Sequence, residues 1–433
     1  MQKKQVLIIS YTYPPANAPA AQRPYALAKY LNKEKYQVTV ITCSNPDSSL
    51  GFDTTFTEEL EGVQLIKIPS YFIGRKTSYR SSIKASTKSN SLKQKLKARL
   101  FFLASKLIIP DKAVLWLPNV KKYLNNNKEL ILNIDVLFTT SPLLTNHLIG
   151  QYIQNKNNNL KWIADFRDFH YVENWSNKRS VLKKYHKKLE HSIINKATHV
   201  TFITGAMQKI YEDYYPKQKH KFNFIYNGFD IDDFKNLEIN PISNNKLTIF
   251  YAGSFYKGIR SPFPLLRLVD NAIENKIINI DDILIKVAGN FDAELVEDAK
   301  KYNSFICIEF LGRLPRTEVL KELTKADFLW LIVGNKITHY TGVPIKFYEY
   351  LAARRPILNF APNRSEPTKL IDEYNLGWSF DFTMNNKKEN NKKFRDIILK
   401  YKDKELNNPL PDKIIAKFTR DIQTKQFEKI IDG

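Results

Sequence analysis

Short apolar runs separated by helical stretches recur along this chain, and they leave few folds open. In the first half "VLIIS" (Val6–Ser10), "VTVIT" (Val38–Thr42), "DVLFTT" (Asp135–Thr140), "WIADF" (Trp162–Phe166), "HVTFIT" (His199–Thr204) and "FNFIYN" (Phe222–Asn227) read as strands. Helical segments such as "QRPYALAKYLNK" and "VLKKYHKKLEHSIINKA" lie between them. Near-continuous apolar runs are the mark of parallel strands covered on both faces. The pattern restarts after a polar linker at about 230–246, with "LTIFYAG", "ILIKVAG", "ICIEFLG", "FLWLIVG" and "PILNF". A βαβα repeat on each side of a linker predicts two doubly wound α/β domains. Their ligands should bind beyond the carboxyl ends of the strands.

Length and composition agree. A chain of 433 residues with 43% hydrophobic content can bury two or three cores. Cys43 and Cys307 fall in different halves, so a structural disulfide is not expected, which fits a reducing compartment. "QVLIIS" is too short for a signal-peptide core, and no apolar stretch is long enough to span a bilayer. The formal net charge is +23, and between Tyr71 and Leu130 there are 14 Lys/Arg against 2 Asp/Glu. Within this basic insertion Leu92, Leu96, Leu100 and Leu103 share a helical face, with Lys93, Lys95, Lys97 and Arg99 elsewhere. Such a helix can lie in an anionic membrane interface. A helix packed on its own domain, with a solubilising charged face, would read the same way.

The stretches after the strands carry the chemistry. "YAGSFYKGIRSPFPLL" combines a turn at Gly253, the cations Lys257 and Arg260, and a helix start near Pro262. These are the ingredients of a phosphate site, although a solvated loop has the same composition. Gly312 and Arg313 end another strand, and a helix starts near Pro315. In "TGVPIKFYEYLAARRPIL" Pro344 suits a first helical turn, and Val343, Phe347, Tyr350 and Leu351 form an apolar stripe. Lys346 stands in that first turn, where the helix dipole disfavours a cation. An anion at the helix start would make Lys346 its partner. Glu349, one turn on, would accept the paired hydroxyls of a ribose. The competing reading is a surface Lys346–Glu349 pair, worth only about 0.2–0.5 kcal/mol. In the first half Arg23 opens a helix behind a loop of small residues, and "ADFRDFHYVENW" gathers Asp165, Arg167, Asp168 and His170. Two carboxylates there could orient sugar hydroxyls or take a proton, or form a structural pair with Arg167. No further His, Asp or Cys set supports a metal.

Taken together, "YTYPP…AQRPYALAKYL…YQVTVIT", "PDKAVLWLPNV", "WIADFRDFHYVENW", "FIYNGFDIDDF" and "VPIKFYEYLAARRPIL" resemble the family-4 glycosyltransferases over nearly the whole chain. The resemblance implies the GT-B fold: two Rossmann-like doubly wound domains facing a central cleft. It implies an acceptor-side domain over 1–230 with the insertion at about 71–130, a nucleotide-sugar domain over 231–411, and a final helix, 412–433, returning to the first. Glu349 matches the second glutamate of the family's E-x7-E motif and would hold the donor ribose; Thr341 stands where the first glutamate is usual. The backbone of Val343, Pro344, Ile345, Lys346 and Phe347 would cradle the diphosphate beside Gly253. Lys257 or Arg260 would neutralise it, Gly312, Arg313 and Leu314 would meet the base, and Asp168 would face donor or acceptor.

The expected activity is transfer of a sugar from a nucleotide-sugar donor to a saccharide or lipid-linked saccharide in surface-polysaccharide assembly, and the resemblance implies retention of configuration. Neither a cofactor nor a metal is expected, nor nucleic acid as partner. The expected place is the cytoplasm or the inner face of the cell membrane. Two rivals are a nucleotide-sugar 2-epimerase of similar architecture, which leaves the basic insertion unexplained, and a basic nucleic-acid-binding protein, for which no recognisable motif is present.

Overall fold

The computed structural model describes residues 2–16, 18–46, 59–71, 108–170, 180–239, 245–383, 386–406 and 409–433. The amphipathic stretch from Leu92 to Leu103 lies outside the described residues. The chain divides into two units: 1–225 with 424–433, and 226–423. The divisions read from the sequence at 230/231 and 411/412 thus fall at 225/226 and 423/424.

Unit 1 holds seven strands: β1 (Lys4–Ile9), β2 (Tyr36–Cys43), β3 (Val63–Ile68), β4 (Val136–Thr140), β5 (Lys161–Phe166), β6 (His199–Phe202) and β7 (Phe222–Phe224). They form one parallel sheet in the order β3-β2-β1-β4-β5-β6-β7. Successive side chains of a strand point to opposite faces. Leu7 and Ile9 therefore join a core with Trp116 and Trp162, while Val6 and Ile8 join another with Val38, Val40 and Phe427. Burial on both faces explains the unbroken apolar runs. β3 was not evident in the sequence because it is an edge strand, with Gln64 and Lys67 exposed among its apolar residues.

Unit 2 holds β8 (Leu247–Ala252), β9 (Ile283–Ala288), β10 (Ile308–Gly312), β11 (Phe328–Ile332), β12 (Ile357–Phe360) and β13 (Gly377–Phe380). The parallel order is β10-β9-β8-β11-β12-β13. Phe328, Trp330 and Ile332 face one core, and Leu329 and Leu331 the other. Each fully buried side chain of this size contributes roughly 1.5–3 kcal/mol. β13, the second edge strand missed in the sequence, is four residues long and starts at a glycine. The helices that begin at Phe263, Arg316 and Ile345 have Pro262, Pro315 and Pro344 as their N-caps, and after β11 a short helix, Ile337–Tyr340, precedes the last of them. Both cysteines are free and buried.

Candidate functional site

In unit 2 the strand order reverses between β8 and β11, and the carboxyl ends of those two strands bring three nitrogen-bearing side chains together. Lys346 lies in the first turn of the Ile345–Ala352 helix. Its Nζ is buried, hangs 4.3 Å from the centre of the Tyr251 ring, and has no hydrogen-bond partner. It also lies against Gly253, whose φ of 156° is a backbone conformation that residues with side chains rarely adopt. Burial pushes the Lys346 ammonium down to about 7; Arg260 acts in the same direction, and Glu349 opposes them. Arg260 has a buried Nε without a partner. His339 has a buried Nδ1 without a partner, lodged against Gly334 after β11. Burial lowers the His339 pKa, with Arg260 and Lys336 adding to the effect. Burial also raises the Tyr251 hydroxyl to about 12, although Arg260 beside it pulls the other way.

Buried polar groups are nearly always hydrogen-bonded, and buried like charges repel. Three unsatisfied nitrogens at the carboxyl edge of a doubly wound sheet are groups that an anion could satisfy. This resolves the oddity of a lysine at a helix start. Lys346 is neither on the surface nor bonded to Glu349. Glu349 instead accepts from Arg316 Nη1 at 2.5 Å, and Arg316 Nη2 donates to Asp233 at 2.6 Å. Neither Arg316, Asp233, His339 nor Tyr251 was evident as a site residue in the sequence, since nothing in their local spacing marks them.

The remaining candidates of unit 2 divide. Val343 and Phe347 are buried in the core, so only their backbone can meet a ligand. Pro344 is the N-cap, and Ile345 is the first helical residue. Gly312 ends β10 at φ 65°, with open space where a Cβ would stand, and Arg313 beside it is exposed. Lys257 is outside the cluster: its ammonium forms an exposed ion pair with Glu294.

In unit 1 Asp165 is fully buried and does not pair with Arg167. It accepts from Arg23 Nε at 3.1 Å and Nη2 at 3.0 Å, from Thr140 Oγ1 at 2.7 Å and from Thr201 Oγ1 at 2.8 Å. Arg167 donates to the carbonyls of Ser141 and Ala20. Burial lowers the Arg167 guanidinium to about 10, with Asp165 and Asp168 opposing the shift. Asp168 is half-buried, and its carboxyl is raised by burial against the pull of Arg167. His170 packs edge-on against Phe166. In "PDKAVLWLPNV" Asp111 accepts from the backbone of Ala113 and Thr145 and from Thr145 Oγ1, and Trp116 is fully buried. That motif is architectural. Among the described residues no group of three or more His, Cys, Asp or Glu could hold a metal ion.

No protein-family model and no curated protein matches the chain. Solved structures do match its backbone over its whole length. A glycosyltransferase from Rickettsia africae is 15% identical, with 100% of this chain and 98% of that one covered and a TM-score of 0.59. Anabaena HepE in complex with UDP is 11% identical, with 99% of each covered and a TM-score of 0.59. WaaG, a glycosyltransferase involved in lipopolysaccharide biosynthesis, is 14% identical, with 99% and 98% covered and a TM-score of 0.55. The fold is GT-B. In GT-B terms Lys346, Arg260 and His339 belong to the second Rossmann-like domain, and the Arg23–Asp165 pair to the first.

Proposed function

We propose that this GT-B chain is a family-4-like glycosyltransferase that moves a sugar from a nucleotide-sugar donor to a lipid-linked saccharide in surface-polysaccharide assembly. The observation that carries the reading is a set of three buried, unpartnered nitrogens: Lys346 Nζ beside Gly253, His339 Nδ1 against Gly334, and Arg260 Nε, whose guanidinium charge acts on both. A donor diphosphate would satisfy them. Negative charge grows on the diphosphate as the glycosidic bond breaks, so cations placed there in advance stabilise the transition state more than the ground state. Lys346 and Arg260 supply that charge, which is the ground for proposing a metal-independent reaction. Binding would draw a proton onto Lys346, because an adjacent anion restores its ammonium form.

Glu349 would take the ribose hydroxyls one turn deeper, and the backbone at Gly312, Arg313 and Leu314 would meet the base. Asp168 is proposed to face donor or acceptor from the first domain. Retention of configuration follows the sequence resemblance. Attachment to the inner membrane face follows from the basic stretch between Tyr71 and Leu130, and among the described residues no helix is long and apolar enough to cross a membrane. The UDP held by HepE and the lipopolysaccharide role of WaaG support the donor and acceptor classes.

The test is a panel of nucleotide sugars, scored for binding and slow hydrolysis, alongside thermal protection by UDP, ADP and GDP. At least one nucleotide should protect the protein, and Glu349→Ala should abolish that protection. Equal protection of the variant removes the ribose role. A parent protein indifferent to every nucleotide removes the enzyme reading.

A further inference from the structure

We propose that Arg316 is a positioning residue: it holds Glu349 toward the ribose and keeps it from neutralising Lys346, with Asp233 as its anchor. The inference rests on the nucleotide-sugar reading above. Arg316 is the first residue of the Arg316–Lys325 helix, where a cation again opposes the dipole, so its place there needs compensation. Two carboxylates from separate elements provide it. Asp233 comes from the short 3-10 turn Ile231–Phe234, inside the "NGFDIDDF" stretch, and Glu349 from the Ile345–Ala352 helix.

The guanidinium spans them with one nitrogen each, and all three side chains are largely shielded, at 22%, 19% and 15% exposed for Arg316, Asp233 and Glu349. Charge-assisted bonds of this kind fix geometry as well as charge. Burial would lower the Arg316 pKa, but Glu349 and Asp233 outweigh it and raise it. The buried Arg420 donates to the Gly228 carbonyl, and burial lowers its pKa while the nearby Asp233 and Asp230 charges oppose that shift.

The arrangement matters because Lys346 and Glu349 stand three residues apart on one helix, close enough to pair. A direct pair would consume the cation meant for phosphate and the carboxylate meant for ribose together. With Arg316 on Oε1, Glu349 keeps Oε2 clear of any protein hydrogen bond among the described residues, available to a hydroxyl. The "NGFDIDDF" stretch thereby gains a role at the site through Asp233.

The experiment measures dissociation constants for UDP, ADP and GDP and for their 2′,3′-dideoxy counterparts. The parent and the variants Arg316→Gln, Arg316→Lys and Asp233→Asn are compared, with melting curves confirming that each is folded. The parent should prefer the ribose form of its best nucleotide by on the order of 10-fold, the worth of a charged hydrogen-bond set. In Arg316→Gln that preference should fall close to one while folding persists, Arg316→Lys should restore part of it, and Asp233→Asn should reduce it. An Arg316→Gln protein that keeps the full preference overturns the positioning role alone. If Arg316→Gln does not fold, Asp233→Asn decides: an unchanged preference there overturns the proposal. A parent that binds nucleotides without preferring ribose overturns the Glu349 assignment too, and one that binds none overturns the nucleotide-sugar reading itself.

Discussion

Lys346→Met should make the free protein more stable and blind to nucleotide. The ordinary lysine value of 10.5 falls to about 7 in the folded state, chiefly through burial. Because the folded pKa is depressed, the stabilising contribution is complete above pH 10.5 and is lost as pH falls toward 7. At pH 7 the linkage cost is about 4 kcal/mol. The Tyr251 ring under Nζ, 4.3 Å from its centre, offsets about 1–2 kcal/mol of that. Methionine fills the same channel without charge, so the net gain should be about 2–3 kcal/mol. For a unit spanning Tyr226–Gln423 that corresponds to roughly 4–12 °C in melting temperature. Scanning calorimetry at pH 7.5 and pH 9.5 measures it. The variant's advantage should narrow at the higher pH, where the unfolded chain gains less from protonating its lysine, and the thermal shift given by the parent's best nucleotide should vanish in the variant. A variant less stable than the parent, or one still protected by nucleotide, refutes the reasoning that Lys346 is a cation held without a partner for an anionic ligand.

Three further outcomes are expected. Arg260→Gln should weaken nucleotide binding by at least 10-fold, whereas Lys257→Ala, which breaks only an exposed pair with Glu294, should leave it within about 2-fold; isothermal titration of both variants compares them. His147 lies fully buried, with its Nδ1 2.7 Å from Thr139 Oγ1, which also accepts from Trp162 Nε1; burial lowers its pKa from 6.5 to about 3. Stability it contributes is complete above pH 6.5 and lost as pH falls toward 3, so urea titrations between pH 6 and 4 should show His147→Leu losing about 1.4 kcal/mol less per pH unit than the parent. Replacing Lys93, Lys95, Lys97 and Arg99 by Gln should release the protein from anionic liposomes in a flotation assay, and a parent that never floats with them ends the membrane proposal.

How much of this was legible in the linear chain differs between fold and site. The inner strands announced themselves because burial on both faces forbids polar residues: "VLIIS" and "FLWLI" have no solvent face to decorate. β3 and β13 did not, since "VQLIKI" and "GWSF" carry mixed polarity, whereas the other two edge strands, β7 and β10, were legible in "FNFIYN" and "ICIEFLG". Helix starts were visible at Pro262, Pro315 and Pro344, where proline's fixed φ and missing N–H are harmless. Lys346 was visible as a local contradiction, a cation where the dipole wants an anion.

Its surroundings were not visible. His339 and Lys346 both follow β11, whereas Arg260 follows β8, and the strand order that sets β8 beside β11 brings it to them. The same holds for Asp165, whose neighbour in sequence was Arg167 but whose partner is Arg23, 142 residues away. Local propensity acts over a few residues and writes itself into periodicity. Long-range charge pairing is chosen by topology and leaves no spacing to read. The sequence by itself therefore determined two parallel α/β domains and a lysine out of place, and only the tertiary structure decided which groups face it, because burial turns distant residues into neighbours and removes the water that would have screened them.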